Sequence, residues 1–222
     1  MIGTRLLVLR VARWGILLVA LGLVAMVAIH LPPVRDWLAA NGHRGGGFCP
    51  LGYSSPSPAK LAAQRGTVPA NARPALGFEL DRSTADDIDG WATENDLACT
   101  TKYAGRMIEC ANVPASLLGG TLAATSIWFE IGARGTLRSI KTARRNGDVE
   151  TVAEAYEEAD RALARTGAVW RRTGSASPST LANGALRQAA CEYRFTDYRA
   201  TVRATNMGDG FLLTEEYATL VD

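Results

Sequence analysis

Apolar and polar positions along this chain follow different periods in turn, and the changes of period mark its elements. From Trp14 to Ile29 every position is apolar or Gly (WGILLVALGLVAMVAI), and Leu31 to Val34 extend the run past His30. An average hydrocarbon core takes ~20 apolar residues of helix, so residues 14–34 predict one transmembrane helix. Helical spacing returns at Ile88, Trp91 and Ala92, predicting a helix over about 84–95 with Ser83 and Asp86 as its capping pair and Asp86 and Asp87 in its first turn. It returns again at Val149, Val152, Tyr156, Ala159 and Leu163, a helix capped by Asp148 and ended by Gly167, with Glu157 and Arg161 paired on its outer side.

Between and after these helices the period is two. Residues 97–110 read as a hairpin around Ala104-Gly105. Ile127, Phe129 and Ile131 alternate with Trp128 and Glu130, and a turn at Gly132–Gly135 leads to a partner strand over about 136–143. The alternation on that partner is less regular, which predicts a bulge or a shifted register. Tyr193 and Phe195 share one parity whereas Tyr198, Ala200, Val202 and Ala204 share the other, so a turn is expected at Thr196-Asp197. A loop over 206–210 then leads to a last strand, 211–217. The fold class is therefore α+β: an antiparallel sheet with helices packed on one face, preceded by one N-terminal transmembrane helix.

The segment between membrane and domain has another character. Residues 35–73 are rich in Gly, Pro, Ser and Ala, lack any apolar period and read as a tether, with one short helix expected from Pro58 to Arg65. The chain thus divides into a cytoplasmic N-terminus (1–13), a signal anchor (14–34), the tether (35–73) and a folded domain (74–222), the last divisible into halves 74–145 and 146–222. Arg5, Arg10 and Arg13 precede the apolar run, and Arg13 can snorkel beside Trp14. This flank predicts the N-terminus inside the cytoplasmic membrane and the domain periplasmic or extracellular. Cleavage as a signal peptide is the competing expectation, but Met26-Val27-Ala28 and Leu38-Ala39-Ala40 make poor cleavage sites.

The whole-chain charge of +2 conceals a division: residues 1–73 carry +7 and residues 74–222 carry −5. An acidic domain is a poor nucleic-acid binder, because phosphate contacts demand a basic face. Both histidines, His30 and His43, precede the domain, which excludes His-based triads and His-ligated metals from it. No cofactor motif is present, and no metal is expected.

Leu76-Gly77-Phe78 leading to the capped helix at Ser83, then a hairpin, then Trp128-Phe129-Glu130-Ile131, a glycine turn and Leu137-Arg138-Ser139-Ile140, resembles the small α+β envelope domains typified by the BamE outer-membrane assembly lipoprotein and the β-lactamase inhibitory protein. The likeness covers about 70 residues and rests on pattern. It implies a sheet-and-helix module that binds other proteins without catalysis, the second half being a diverged copy of the first. Cys49 lacks a lipobox, which departs from the lipoprotein pattern.

Cys49, Cys99, Cys110 and Cys191 form no C-x-x-C pair. A turn centred on Ala104-Gly105 sets Cys99 directly opposite Cys110, where a disulfide fits if four residues form the loop; two buried thiols are the alternative. Ser57-Pro58-Ala59-Lys60 and Lys141-Thr142-Ala143 echo penicillin-binding enzymes only faintly. The carboxylate groups Asp86-Asp87-Asp89, Glu157-Glu158 and Glu215-Glu216 are the remaining catalytic candidates, the last pair expected to point to opposite faces of a strand. An interaction surface is expected around Tyr193, Arg199 and Arg203, against the simpler expectation that Arg199 and Arg203 pair across strands with Glu215 or Glu216. The expected role is a non-enzymatic, membrane-anchored binding or scaffold protein. The alternatives are an accessory subunit of a larger membrane complex, whose helix packs through Gly15 and Gly22, and a histidine-free envelope hydrolase using paired carboxylates.

Overall fold

The structure, a computed structural model, describes residues 62–220. The expected membrane segment 14–34, with Arg10, Arg13 and Trp14, and Cys49 lie outside the described residues. Among the described residues no helix is long and apolar enough to cross a membrane.

Eight antiparallel strands form one sheet. Helix α1 (Ala85–Glu94) precedes β1 (Cys99–Lys102), β2 (Met107–Val113), β3 (Ala124–Ile131) and β4 (Leu137–Asn146), with a 3-10 turn at Ala115–Leu117. Helix α2 (Val149–Ala164) then precedes β5 (Arg171–Thr173), β6 (Gln188–Arg194), β7 (Tyr198–Asn206) and β8 (Phe211–Thr219), with the short helix α3 (Pro178–Leu181) between β5 and β6. The strand order is β1-β2-β3-β4-β8-β7-β6-β5, so each half is a helix followed by four strands and the two halves join through their last strands. Both outer strands are short. β1 is tied to β2 by the Cys99–Cys110 disulfide and β5 carries Arg171 and Arg172, two ways of blunting an edge that would otherwise accept foreign strands.

The caps explain where the helices begin. Thr84, in extended backbone, accepts the Asp87 N–H, and the Asp87 carboxylate accepts the Thr84 N–H at 2.7 Å. The capping box therefore sits one residue beyond the Ser83–Asp86 pair expected from the sequence, because the Ser83 hydroxyl is engaged by the Glu79 N–H at 3.0 Å. Asp148 caps α2 by accepting the Thr151 N–H at 2.9 Å.

Residues at alternate strand positions form the core. Ile108, Phe129, Ile140, Tyr217, Ala200 and Tyr193 stand in one row across β2, β3, β4, β8, β7 and β6. Both helices cover this face. The Trp91 ring of α1 lies 5.8 Å from Phe129, Ile88 is wholly buried, and Val152, Tyr156 and Leu163 of α2 join the same cluster. Burying one such aliphatic side chain contributes about 1.5–3 kcal/mol. The irregular alternation of β4 corresponds to a register shift between Glu130 and Ile131.

Ordered structure begins before Pro74. Residues 62–64 are helical, the Gly66 N–H donates to the Phe195 carbonyl at 2.9 Å, the Thr196 N–H donates to Val68 O at 2.9 Å and the Ala70 N–H donates to Asp197 Oδ1 at 3.0 Å. Part of the stretch that composition assigns to the tether is thus bonded along the β6–β7 turn. Composition could not signal this, because the bonds are made by backbone.

Candidate functional site

The face of the sheet turned away from α1 and α2 is not used by the core. One row runs Glu109, Trp128, Lys141, Glu216, Thr201, Glu192, Arg171, and the next runs Ala111, Ser126, Ala143, Thr214, Arg203, Ala190, Thr173. Every member of these two rows is exposed or half-buried. A third row, Met107, Glu130, Ser139, Ala218, Arg199, Arg194, buries only Met107 and Ala218.

Cross-strand charges organise this face. Lys102 pairs across strands with Glu109 and Arg199 with Glu216, Arg194 pairs with Glu192 two residues away on β6 at 2.7 Å, and the Ser139 hydroxyl donates to Glu130 at 2.8 Å. Trp128 stands between Glu109 and Lys141 in the charged row and is half-buried. An aromatic ring set among charges whose partners are already arranged gives apolar area together with orienting polar groups, the composition of contact hot spots.

The residues expected to form an interaction surface separate. Arg199 and Arg203 lie on the open face, Arg203 exposed and Arg199 paired with Glu216, one of the two glutamates named as its cross-strand partner. Tyr193 does not lie there. It is 0% exposed on the helix-covered face and donates its hydroxyl to Asp160 Oδ1 at 2.6 Å. Its parity with Phe195 had placed it on one side of its strand, but which side faces the helices is fixed only by long-range register.

Cys99 and Cys110 are register partners across a four-residue loop, 103–106, and are joined in a disulfide. The loop turns through positive φ at Tyr103, Ala104 and Gly105.

Three of the carboxylate candidates, Asp87, Glu215 and Glu216, have structural partners. Hydrogen bonds from the Thr84 backbone and then its hydroxyl hold Asp87 below the usual carboxylate range. Glu215 is buried and Glu216 faces solvent, as their adjacency on a strand requires. Glu215 meets Arg144 at 2.7 Å and accepts the Tyr217 hydroxyl, while Arg144 also donates to Leu122 O at 2.8 Å. Among the described residues no group of three or more His, Cys, Asp or Glu is placed to hold a metal ion.

A second polar cluster was not signalled by any local pattern. Asp160 of α2 receives Tyr193, the Cys191 thiol at 2.7 Å and Arg172 at 2.8 Å, joining α2 to β6 and β5. Burial, then the hydrogen bond with Asp160, pushes the Cys191 thiol up to about 11, and burial likewise raises Tyr156 and Tyr193. A thiol so raised is protonated at neutral pH and is a poor nucleophile, so the cluster is a fastening between helix and sheet. No family model, curated protein or solved structure matches this chain.

Proposed function

We propose that this chain is a single-pass protein of the cytoplasmic membrane, N-terminus inside, whose domain works outside that membrane as a non-enzymatic binding or scaffold module. The open face of the sheet carries this reading, because Trp128 and Arg203 are displayed there on a rigid, disulfide-tied scaffold and are not needed by the core. Three further features support it. The apolar run 14–34 with Arg10, Arg13 and Trp14 has the composition of an anchor, and a disulfide suits an oxidising compartment. The repetition of a helix followed by four strands suits the likeness to BamE-type and β-lactamase-inhibitory-protein-type envelope domains, with the second half a diverged copy. The hydrolase alternative gains nothing from the structure, since Glu215 is committed to Arg144 and Asp87 to a helix cap.

The test is cross-linking of the full chain in native membranes, followed by purification in mild detergent. A partner at fixed stoichiometry is expected, and Trp128→Glu with Arg203→Glu should release it while circular dichroism stays unchanged. Equal recovery with the variant overturns the open face as the site, and absence of any partner overturns the binding role. Protease added outside sealed vesicles of known orientation should reach the domain only from the extracytoplasmic side.

A further inference from the structure

Three separated stretches converge at one end of the second half: residues 66–71, the α2–β5 connection 166–170, and the β6–β7 turn 195–197. The Gly66 N–H donates to Phe195 O, the Asn71 N–H donates to Thr166 O at 3.1 Å, and the Trp170 N–H donates to Glu192 O at 2.8 Å. Gly167 lies so close to Phe195 that an added Cβ would sit 2.8 Å from its ring. This end is therefore built by a network of tertiary bonds.

What it presents is unusual for a soluble surface. Val68 is 58% exposed, Val169 36% and Trp170 57%, and among the described residues these are three of the five exposed large hydrophobics. The Arg194 guanidinium lies 5.2 Å from the centre of the Trp170 ring. Arg161 and Arg165 emerge exposed from the last turn of α2 and Arg171 from the edge strand. The acidic side chains here are held by arginines: Glu192 by Arg194 and Arg171, Asp160 by Arg172, Asp197 by Arg73 at 4.0 Å. With six arginines named here (Arg73, Arg161, Arg165, Arg171, Arg172, Arg194) against three carboxylates (Glu192, Asp160, Asp197), the net charge of this group is cationic.

The position of this end selects its partner. The first described residues, 62–66, lie here, with Arg194 donating to Ala63 O at 3.3 Å and Arg65 to Leu220 O at 2.6 Å. Between them and the expected anchor stand only residues 35–61, rich in Gly, Pro and Ser. On the reading of these residues as a tether, a coil of that length would have a root-mean-square span of about 30 Å. The end that displays Trp170 is thus the end the tether would hold nearest the bilayer. Tryptophan, small aliphatic residues and arginine together are the composition that settles at a headgroup boundary.

We propose that this end of the domain docks on an anionic bilayer, with Trp170, Val68 and Val169 entering the headgroup region and Arg165 and Arg171 facing lipid phosphates. The proposal rests on the reading of residues 14–34 as a membrane anchor. Docking would fix the orientation of the sheet relative to the membrane instead of leaving the domain free on its leash.

The test uses the full chain reconstituted in vesicles of phosphatidylcholine, with or without phosphatidylglycerol, containing lipids brominated on their acyl chains. The difference in fluorescence between wild type and Trp170→Phe isolates Trp170, and that between wild type and Trp14→Phe isolates the anchor. With phosphatidylglycerol, Trp170 should be quenched by bromine and shielded from aqueous iodide. Arg165→Gln with Arg171→Gln should lower the ratio of docked to free domain by about fivefold per charge removed. Trp14 quenched while Trp170 stays open to iodide overturns the docking and leaves the anchor standing. An unquenched Trp14 overturns the anchor, and the docking falls with it. Trp170 shielded from iodide without bromine quenching assigns the patch to a protein contact and likewise overturns the proposal.

Discussion

Arg144 on β4 and Glu215 on β8 meet at 2.7 Å across the central strand pair, with their side chains 5% and 3% exposed. The pair lies where the two halves of the sheet join, and Tyr217 completes it by donating its hydroxyl to Glu215. Removing one partner of a buried ion pair leaves an uncompensated charge, which typically costs about 3–5 kcal/mol. Glu215→Leu alone should lose stability of that order in urea unfolding. Arg144→Met combined with Glu215→Leu should recover most of it, since two apolar side chains of similar size remove both charges together. Equal losses in the single and double variants would show that the pair is not coupled.

The disulfide secures the outermost strand of the first half. Closing a short loop stabilises chiefly by restricting the unfolded chain, here by about 2–3 kcal/mol. Cys99→Ala with Cys110→Ala should lower the unfolding midpoint accordingly. Hydrogen exchange should quicken first in β1, because that strand has β2 as its one neighbour.

Cys191 makes stability fall in alkali. Its folded value lies above its ordinary value of 9.0, at about 11. A group whose proton is held more tightly when folded contributes fully below its unfolded value, and the contribution is lost as pH rises toward the folded one. Stability should thus decline between pH 9 and 11, and Cys191→Ala should reduce that decline at its lower edge, before the tyrosines titrate in the unfolded chain. At pH 8 the peptide containing Cys191 should take up iodoacetamide far more slowly in the native protein than after denaturation.

Gly66 and Gly90 should respond to alanine in opposite directions. A Cβ on Gly66 would sit 2.3 Å from the Arg194 carbonyl oxygen, so Gly66→Ala should loosen the stretch around Arg65 and speed tryptic cleavage after Arg65, with the sheet retained. A Cβ on Gly90, within α1, meets nothing within 4 Å. Gly90→Ala should stabilise by about 0.5–1 kcal/mol through helix propensity.

Local pattern foretold most of the elements, and the reason is visible in particular residues. Ile127, Phe129 and Ile131 alternate because one side of β3 is buried, and Val152, Tyr156 and Leu163 recur at helical spacing because one side of α2 is. The opposed cysteines followed from the loop centre alone. β5 escaped because Arg171, Arg172 and Thr173 are all exposed and carry no alternation. α3 escaped because four residues are too few for a helical period. Arg144, Glu215 and Asp160 look like surface charges in sequence; the burial of the first two and the partners of Asp160 depend on β4, β8, β6 and β5 coming together. The same holds for Tyr193, whose covered side was set by where α2 comes to rest.

The strand order also dictates when the molecule can be completed during synthesis. β4 is finished early, yet its second neighbour is β8, the last of the eight described strands to be made, with α2 and three strands produced in between. Until then β4 offers an unpaired margin and Arg144 has no Glu215. A chain cut short before residue 211 would keep both defects permanently, presenting a ribbon open to foreign strands and a cation with no counter-ion, and would be prone to clump. For this fold β8 acts as the clasp on which the first half depends.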